Sequence, residues 1–378
     1  MKTRIWLSLL AAVVLFGCGG NKPEGMNLPN SPAPPAPVLP AAPPCPAGTT
    51  CKDQTISSGG LTRNYILHTP SKYDGTTAVP LVFVLHGYGS SADAMHADTG
   101  FDEKSDAENF VVVYPNGAAP SHSWNSGIDP NGGSTADDIT FFRDLIAKLE
   151  SEYNIDSNRI YATGLSNGAA MSHHIAALMP DVIAAVAPVE GAVGMSPDGV
   201  QPFKIQTTPT KPISIAIIHQ RTDTHIPYEG GYLNGGGCNS ISAVSLPTSD
   251  NDDQVVDTLS FWTSADKCTT PPQFTHFGPS DPVSYCDCYC KAHPLTNFAV
   301  EISDYQDCGD GIEVLHVALV GGDHAWPKPG VCTTPPKVPK ECATQADIPP
   351  ECASKGPCNS FSANDAIWDF FKRHTLGH

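Results

Sequence analysis

From Asn64 to His374 short continuous apolar runs alternate with stretches whose apolar residues recur every three or four positions. "NYILHTP", "PLVFVLHG" and "FVVVYPNG" read as strands, the last two separated by a helical stretch from Ala92 to Glu108. "STADDITFFRDLIAKLESEY" opens with a capping signature, Thr135 followed three residues later by Asp138, and continues as a helix carrying Phe141, Phe142, Leu145 and Leu149 on its apolar face. Further strands follow in "RIYATG", "VIAAVAPVEG", "PISIAIIH", "NFAVEISDY" and "IEVLHVALVGG", with helices in "QVVDTLSFWTSAD" and "SANDAIWDFFKRH". Buried strands alternating with amphipathic helices predict an α/β fold whose mostly parallel sheet is covered by helices on both faces. In such sheets the reactive loops lie at the carboxyl ends of the strands.

One of those ends carries an unusual corner. In "RIYATGLSNGAAMSHHIA" the chain passes from strand through G-L-S-N-G into helix, with Gly164 and Gly168 flanking Ser166. A sharp strand-to-helix turn holds one side chain exposed, small neighbours let backbones pass close, and the N–H of Asn167 at the helix start can receive an oxyanion. The plainer alternative is a βα turn whose serine only caps the helix.

A serine nucleophile needs a base and an acid after later strands, in the chain order Ser, acid, His of an α/β-hydrolase. Asp223 follows "PISIAIIH" and His324 follows the last strand. His316, inside its strand, reads as packed or solvated, and Asp323 adjoins His324 too closely to orient it. Asp304, Asp307 and Asp310 compete with Asp223. His173 and His174, on the helix after the elbow, read as packing or surface residues. The second oxyanion donor is assigned to the N–H of Tyr88 in "LHGYG", with Gly87 and Gly89 as neighbouring alternatives. Trp124 and Trp326 are the aromatics expected to stack on a ring or sugar face in the cleft.

The 378 residues are 40% hydrophobic and 16% charged, with a formal net charge of −18. That balance excludes a nucleic-acid partner, because no basic excess exists to displace counterions from phosphate. Lys2 and Arg4 precede an apolar run from Ile5 to Phe16 that ends in "LFGC". Residues 1–18 therefore read as a lipoprotein-type signal segment ending at a lipidated Cys18, with ordinary secretion as the alternative. Residues 19–44 read as a proline-rich linker, and 45–378 as one domain with a cysteine-rich insertion over about 268–358. Thirteen cysteines are odd, and setting Cys18 aside leaves an even number for pairing. "CDCYC", Cys286 to Cys290, is compatible with a thiolate metal cluster, but export favours disulfides and the spacing fits no common zinc pattern. Cys45 and Cys51 are close enough to close a short loop.

"LHGYG", "DDITFF", "RIYATGLSNGAAMSHHIA", "PDVIAAVAPVEG", "TDTHIPYEGG" and "GGDHAWPKPG", in this order, resemble the polyhydroxybutyrate depolymerase-like esterases, which include feruloyl and acetylxylan esterases. The resemblance spans roughly Gly60 to Pro329 and the last helix. It implies an α/β-hydrolase fold, a Ser166, Asp223, His324 triad, and a Cys268 to Cys308 bridge; the disulfide-rich insertion near the C-terminus, Cys268 to Cys358, is larger than the family pattern requires. No cofactor or metal is implied. The chain departs from the family in having "HQRTD" where His-Gly usually precedes the acid. The expected protein is an exported monomeric serine esterase, secreted or lipid-anchored to a bacterial envelope, touching membrane only through that anchor. Its expected substrate is a polymeric ester, with feruloyl or acetyl groups on plant cell-wall polysaccharide ahead of polyhydroxybutyrate. The opposing class is a surface lipoprotein that keeps the fold and only binds polysaccharide.

Overall fold

The computed structural model describes residues 44–128, 134–195, 204–221, 223, 225–226, 228, 258–277, 300–319, 324–329 and 361–376. The expected signal segment with Cys18, the expected linker up to residue 43, Asp323 and most of the cysteine-rich stretch, Cys286 to Cys290 included, lie outside the described residues.

The elements in chain order are β1 (Thr49–Ser58), β2 (Leu61–Thr69), β3 (Val79–Leu85), α1 (Ala92–Thr99), α2 (Phe101–Glu108), β4 (Val111–Pro115), α3 (Asp138–Glu152), β5 (Ile155–Leu165), α4 (Asn167–Leu178) and β6 (Ala185–Val189). A small antiparallel pair, β7 (Gly194–Met195) and β8 (Lys204–Ile205), comes next. Then follow β9 (Ser214–Gln220), α5 (Thr258–Ala265), β10 (Gln273–Phe277), β11 (Val300–Tyr305), β12 (Val314–Leu319) and α6 (Ala363–Phe371).

Among the described residues ten strands form one sheet in the order β1-β2-β4-β3-β5-β6-β9-β12-β11-β10. The six from β4 to β12 pair in parallel, and antiparallel strands close both edges. This is the α/β-hydrolase arrangement. Its central strands are apolar on both faces because both are covered. Leu81, Phe83 and Leu85 of β3 join Phe142, Ile175 and Trp262 in one core, whereas Val82 and Val84 join Met95, Phe101 and Phe371 in the other. The alternation follows from the two-residue period of a strand.

Local details differ from the pattern-based expectation. The stretch from Ala92 to Glu108 is two helices, because Gly100 takes a left-handed φ of 66° that ends α1 and starts α2. The cap of α3 is Asp137, whose carboxylate accepts the Thr140 N–H at 2.9 Å, and Thr135 is not the capping residue. Asp138 is instead buried in an ion pair with Arg63 at 2.7 Å. The edge strands β1 and β10 carry no continuous apolar run, since an edge exposes much of its surface to water.

Among the described residues two disulfides are present, Cys45 to Cys51 and Cys268 to Cys308. The second closes a loop of sequence separation 40, linking the turn after α5 to the segment that leads into β12. Such a closure stabilises by about 4 kcal/mol on chain entropy alone.

Candidate active site

Four neighbouring parallel strands, β5, β6, β9 and β12, end on the same side of the sheet. Ser166 follows β5, Glu190 follows β6, Asp223 lies just beyond β9 and His324 lies beyond β12. The topology thus brings to one edge residues that are widely separated in the chain.

Ser166 has φ 60° and ψ −117°, a conformation that L residues rarely hold, and its N–H donates to Val189 O at 3.0 Å. Its side chain makes no capping hydrogen bond to α4, so the simple cap does not explain it. The flanking glycines are a packing requirement. A Cβ on Gly168 would lie 2.3 Å from Leu85 O, and one on Gly164 would lie 2.7 Å from the Gly168 backbone.

The loop after β3 runs against the serine. A Cβ on Gly87 would stand 3.4 Å from Ser166 Cβ and 3.9 Å from its Oγ. Gly89 is removed as an oxyanion donor, because its N–H is spent on His122 O at 2.9 Å. That leaves the Gly87–Tyr88 amides on this side and the Asn167 amide at the first turn of α4, where helix geometry supplies no internal acceptor. His86 fixes the loop: its Nε2 accepts the Gly117 N–H at 2.9 Å, so its Nδ1–H is the donor to Gly87 O at 2.7 Å. Burial holds this imidazole down at about 4, keeping it neutral.

Trp124 does not reach a cleft. It is wholly buried, its Nε1–H donates to His86 O at 2.9 Å, and its main chain is clamped by the Asn167 side chain at 2.7 and 3.3 Å. Trp326 is buried too, donating to Asn364 Oδ1 at 2.9 Å and packing edge-on against Phe101. Both tryptophans are core residues, which corrects the expectation that they stack on substrate. Among the described residues of this region Tyr88, adjacent to Gly87, is an exposed aromatic, 58% accessible.

His324 Nδ1 and Asp223 Oδ2 are 2.7 Å apart. The N–H groups of His225 and Ile226 donate to Asp223 Oδ1 at 2.7 and 2.9 Å. Burial pushes the Asp223 carboxyl up, but His324 and His219 outweigh it and hold the group well below the usual carboxylate range. His225 lies over the His324 ring, with centroids 4.7 Å apart and planes at 25°.

Of the rivals, Asp304, Asp307 and Asp310 lie in β11 and its turn into β12, at the amino end of the parallel strands and opposite the site. His316 is buried and faces Tyr228 Oη at 3.3 Å. His173 accepts the Trp262 indole N–H at 3.0 Å, and His174 pairs with Gln206 at 2.8 Å. Sequence reading missed Glu190 and His219, although "PVEG" ends a strand in a charged residue and "HQRTD" departs from the family pattern. Glu190, His219 and Asp223 bring one atom each within 4.8 Å of one another, as do Asp223, His225 and His324. A cation could in principle be held there, yet Asp223 already spends its oxygens on backbone amides and His324. The arrangement suits proton handling.

Residues 64–251 match the family model described as esterase, PHB depolymerase. That span contains Ser166 and Asp223, and His324 lies beyond it. The chain is 25% identical over 265 residues to feruloyl esterase B of Piromyces equi, covering 70% of this chain and 42% of that protein. It is 31% identical over 148 residues to poly(3-hydroxyalkanoate) depolymerase C of Paucimonas lemoignei, covering 38% and 32%. The chain spans about half or less of the length of the first curated relatives it matches. Among solved structures, the acetyl xylan esterase from Aspergillus awamori aligns with 74% of this chain and 95% of its own at 15% identity and a TM-score of 0.47. Over residues 64–251, the chain is similar to the PHB depolymerase esterase family.

Proposed function

We propose that the protein is a serine carboxylic-ester hydrolase. The observation that carries this reading is the His324 to Asp223 contact of 2.7 Å, on the sheet edge that also presents the strained Ser166. Ser166 Oγ attacks the ester carbonyl while His324 Nε2 takes its proton. Asp223 holds the imidazole with its proton on Nδ1 and stabilises the imidazolium. The N–H groups of Tyr88 and Asn167 receive the oxyanion, His324 protonates the departing alkoxide, and water then hydrolyses the acyl-enzyme. These residues supply every proton transfer in that sequence.

The proposed substrates are feruloyl or acetyl esters on plant cell-wall polysaccharide, with Tyr88 rather than either tryptophan as the aromatic surface beside the nucleophile. Polyhydroxyalkanoate is the second reading, favoured by the 31% identity to the depolymerase of Paucimonas lemoignei. Export through residues 1–18, with lipidation at Cys18, suits a chain whose described residues carry the disulfides Cys45 to Cys51 and Cys268 to Cys308. Comparing kcat/KM on methyl ferulate, acetylated xylan and a hydroxybutyrate oligomer, with Ser166→Ala as control, tests the assignment. Preference for the oligomer selects the polyester reading; no turnover of any ester, with retained polysaccharide binding, selects a non-catalytic binder.

A further inference from the structure

Glu190 is a wholly buried carboxyl group with no place in the hydrolytic scheme. It stands at the end of β6, between the strands that deliver Ser166 and Asp223, in a left-handed conformation with φ 54°. Its N–H donates to Ile218 O at 2.9 Å, and both its carboxyl oxygens lie 3.2 Å from the Gln220 N–H. His219 Nε2 faces three oxygens: Ile226 O at 2.8 Å, Asp223 Oδ2 at 3.3 Å and Glu190 Oε2 at 3.5 Å. One ring hydrogen cannot serve all three, and the shortest approach is to the neutral carbonyl. Glu190 and Asp223 bring carboxyl oxygens within 4.8 Å of each other, and two carboxylates that near and shut away from water do not both stay charged. Asp223 is the better served, with two backbone amides and His324. Burial and the charge of Asp223 push the Glu190 carboxyl well above the usual range.

We infer that Glu190 is a neutral carboxylic acid whose O–H donates to Asp223, making it a positioning residue that keeps the Asp223 carboxylate fixed and aimed at His324. The inference rests on the triad reading above. The role is that of a hydrogen-bond donor, so an amide in the same place should serve.

The test pairs spectroscopy with kinetics. In the infrared spectrum of the whole protein at neutral pH, the wild type minus Glu190→Gln difference should contain the C=O stretch of a protonated buried carboxyl. On p-nitrophenyl acetate, Glu190→Gln should lose no more than a few-fold in kcat. Glu190→Ala should lose about 10- to 100-fold with KM little changed, the loss expected when a hydrogen bond to a charged group disappears. Absence of the band, or a Glu190→Gln variant as impaired as Glu190→Ala, overturns the inference; so does a fully active Glu190→Ala. If Glu190→Ala does not fold, the band and the glutamine variant still decide. A protein that shows the band but hydrolyses no ester would sink the esterase reading alone, and an active enzyme without the band would sink this one alone.

Discussion

Nδ1 of His324 meets Oδ2 of Asp223 at 2.7 Å across 101 residues of chain, because β9 and β12 are parallel neighbours that end together. The Nδ1 proton therefore points at the carboxylate, and Nε2 is left as the base. Asp223→Asn keeps the shape but stabilises the wrong tautomer, so kcat should fall by about 10⁴-fold with a small change in KM. A variant within about tenfold of wild type would remove Asp223 from the triad, since members of such a unit carry far larger effects.

Ser166→Ala should leave a folded protein with activity lower by about a million-fold. The same position tests strain. Ser166→Gly should be equally inactive yet more stable by about 1 kcal/mol, because glycine takes φ 60°, ψ −117° without penalty. Equal thermal stability of the two variants would show that the elbow stores no strain.

The central sheet and its reactive ends were legible because buried parallel strands and their covering helices have distinct periods. Ser166, Asp223 and His324 were proposed by that logic, and each lies after a strand at the carboxyl end of the parallel strands. What escaped was whatever depends on the third dimension. Trp326 adjoins His324 in sequence and Trp124 lies in the loop region before α3, but position along the chain does not say which way an indole turns. Glu190 was hidden because a glutamate after a strand reads as an ordinary surface charge until β6 is seen between β5 and β9. Asp137 displaced Thr135 as a cap because two adjacent aspartates offer two carboxylates, and the next one was claimed by Arg63.

Trp326 supplies a direct check on that correction. A buried indole packed on Phe101 and bonded to Asn364 should cost about 3–5 kcal/mol on truncation to alanine. Chemical denaturation of Trp326→Ala should show that loss; a stable variant with a raised KM for aromatic esters would restore the cleft assignment.

Acid should unfold the protein through its buried histidines. Burial lowers His86 to about 4 and His173 and His316 to about 3. In the unfolded chain histidines take up a proton near about 6.5, so between that pH and the folded values the unfolded state binds more protons. Stability is then present above about pH 6.5 and lost as pH falls toward 4. Denaturant midpoints measured from pH 7 to 4 should decline, with a shallower decline for His173→Gln than for wild type. Parallel curves would mean that His173 accepts a proton in place.

Asp266 acts with the opposite sign. It is fully buried after α5, its Oδ1 accepts the Ile213 N–H at 3.0 Å, and its Oδ2 has no partner among the described residues. Burial raises this carboxyl to about 7, against one backbone hydrogen bond that lowers it. Unfolded aspartate ionises near about 3.9, so from there to about 7 the folded state holds the extra proton and its stability falls as pH rises. Above about 7 both states are ionised and the full penalty, at most about 4 kcal/mol, is in place. Asp266→Asn can still accept from Ile213 and has nothing to ionise. Its melting temperature should match wild type near pH 4 and exceed it at pH 8, with the gap opening across that interval. A gap independent of pH would show that Asp266 stays neutral throughout or is charged throughout, and that it does not titrate where its burial places it.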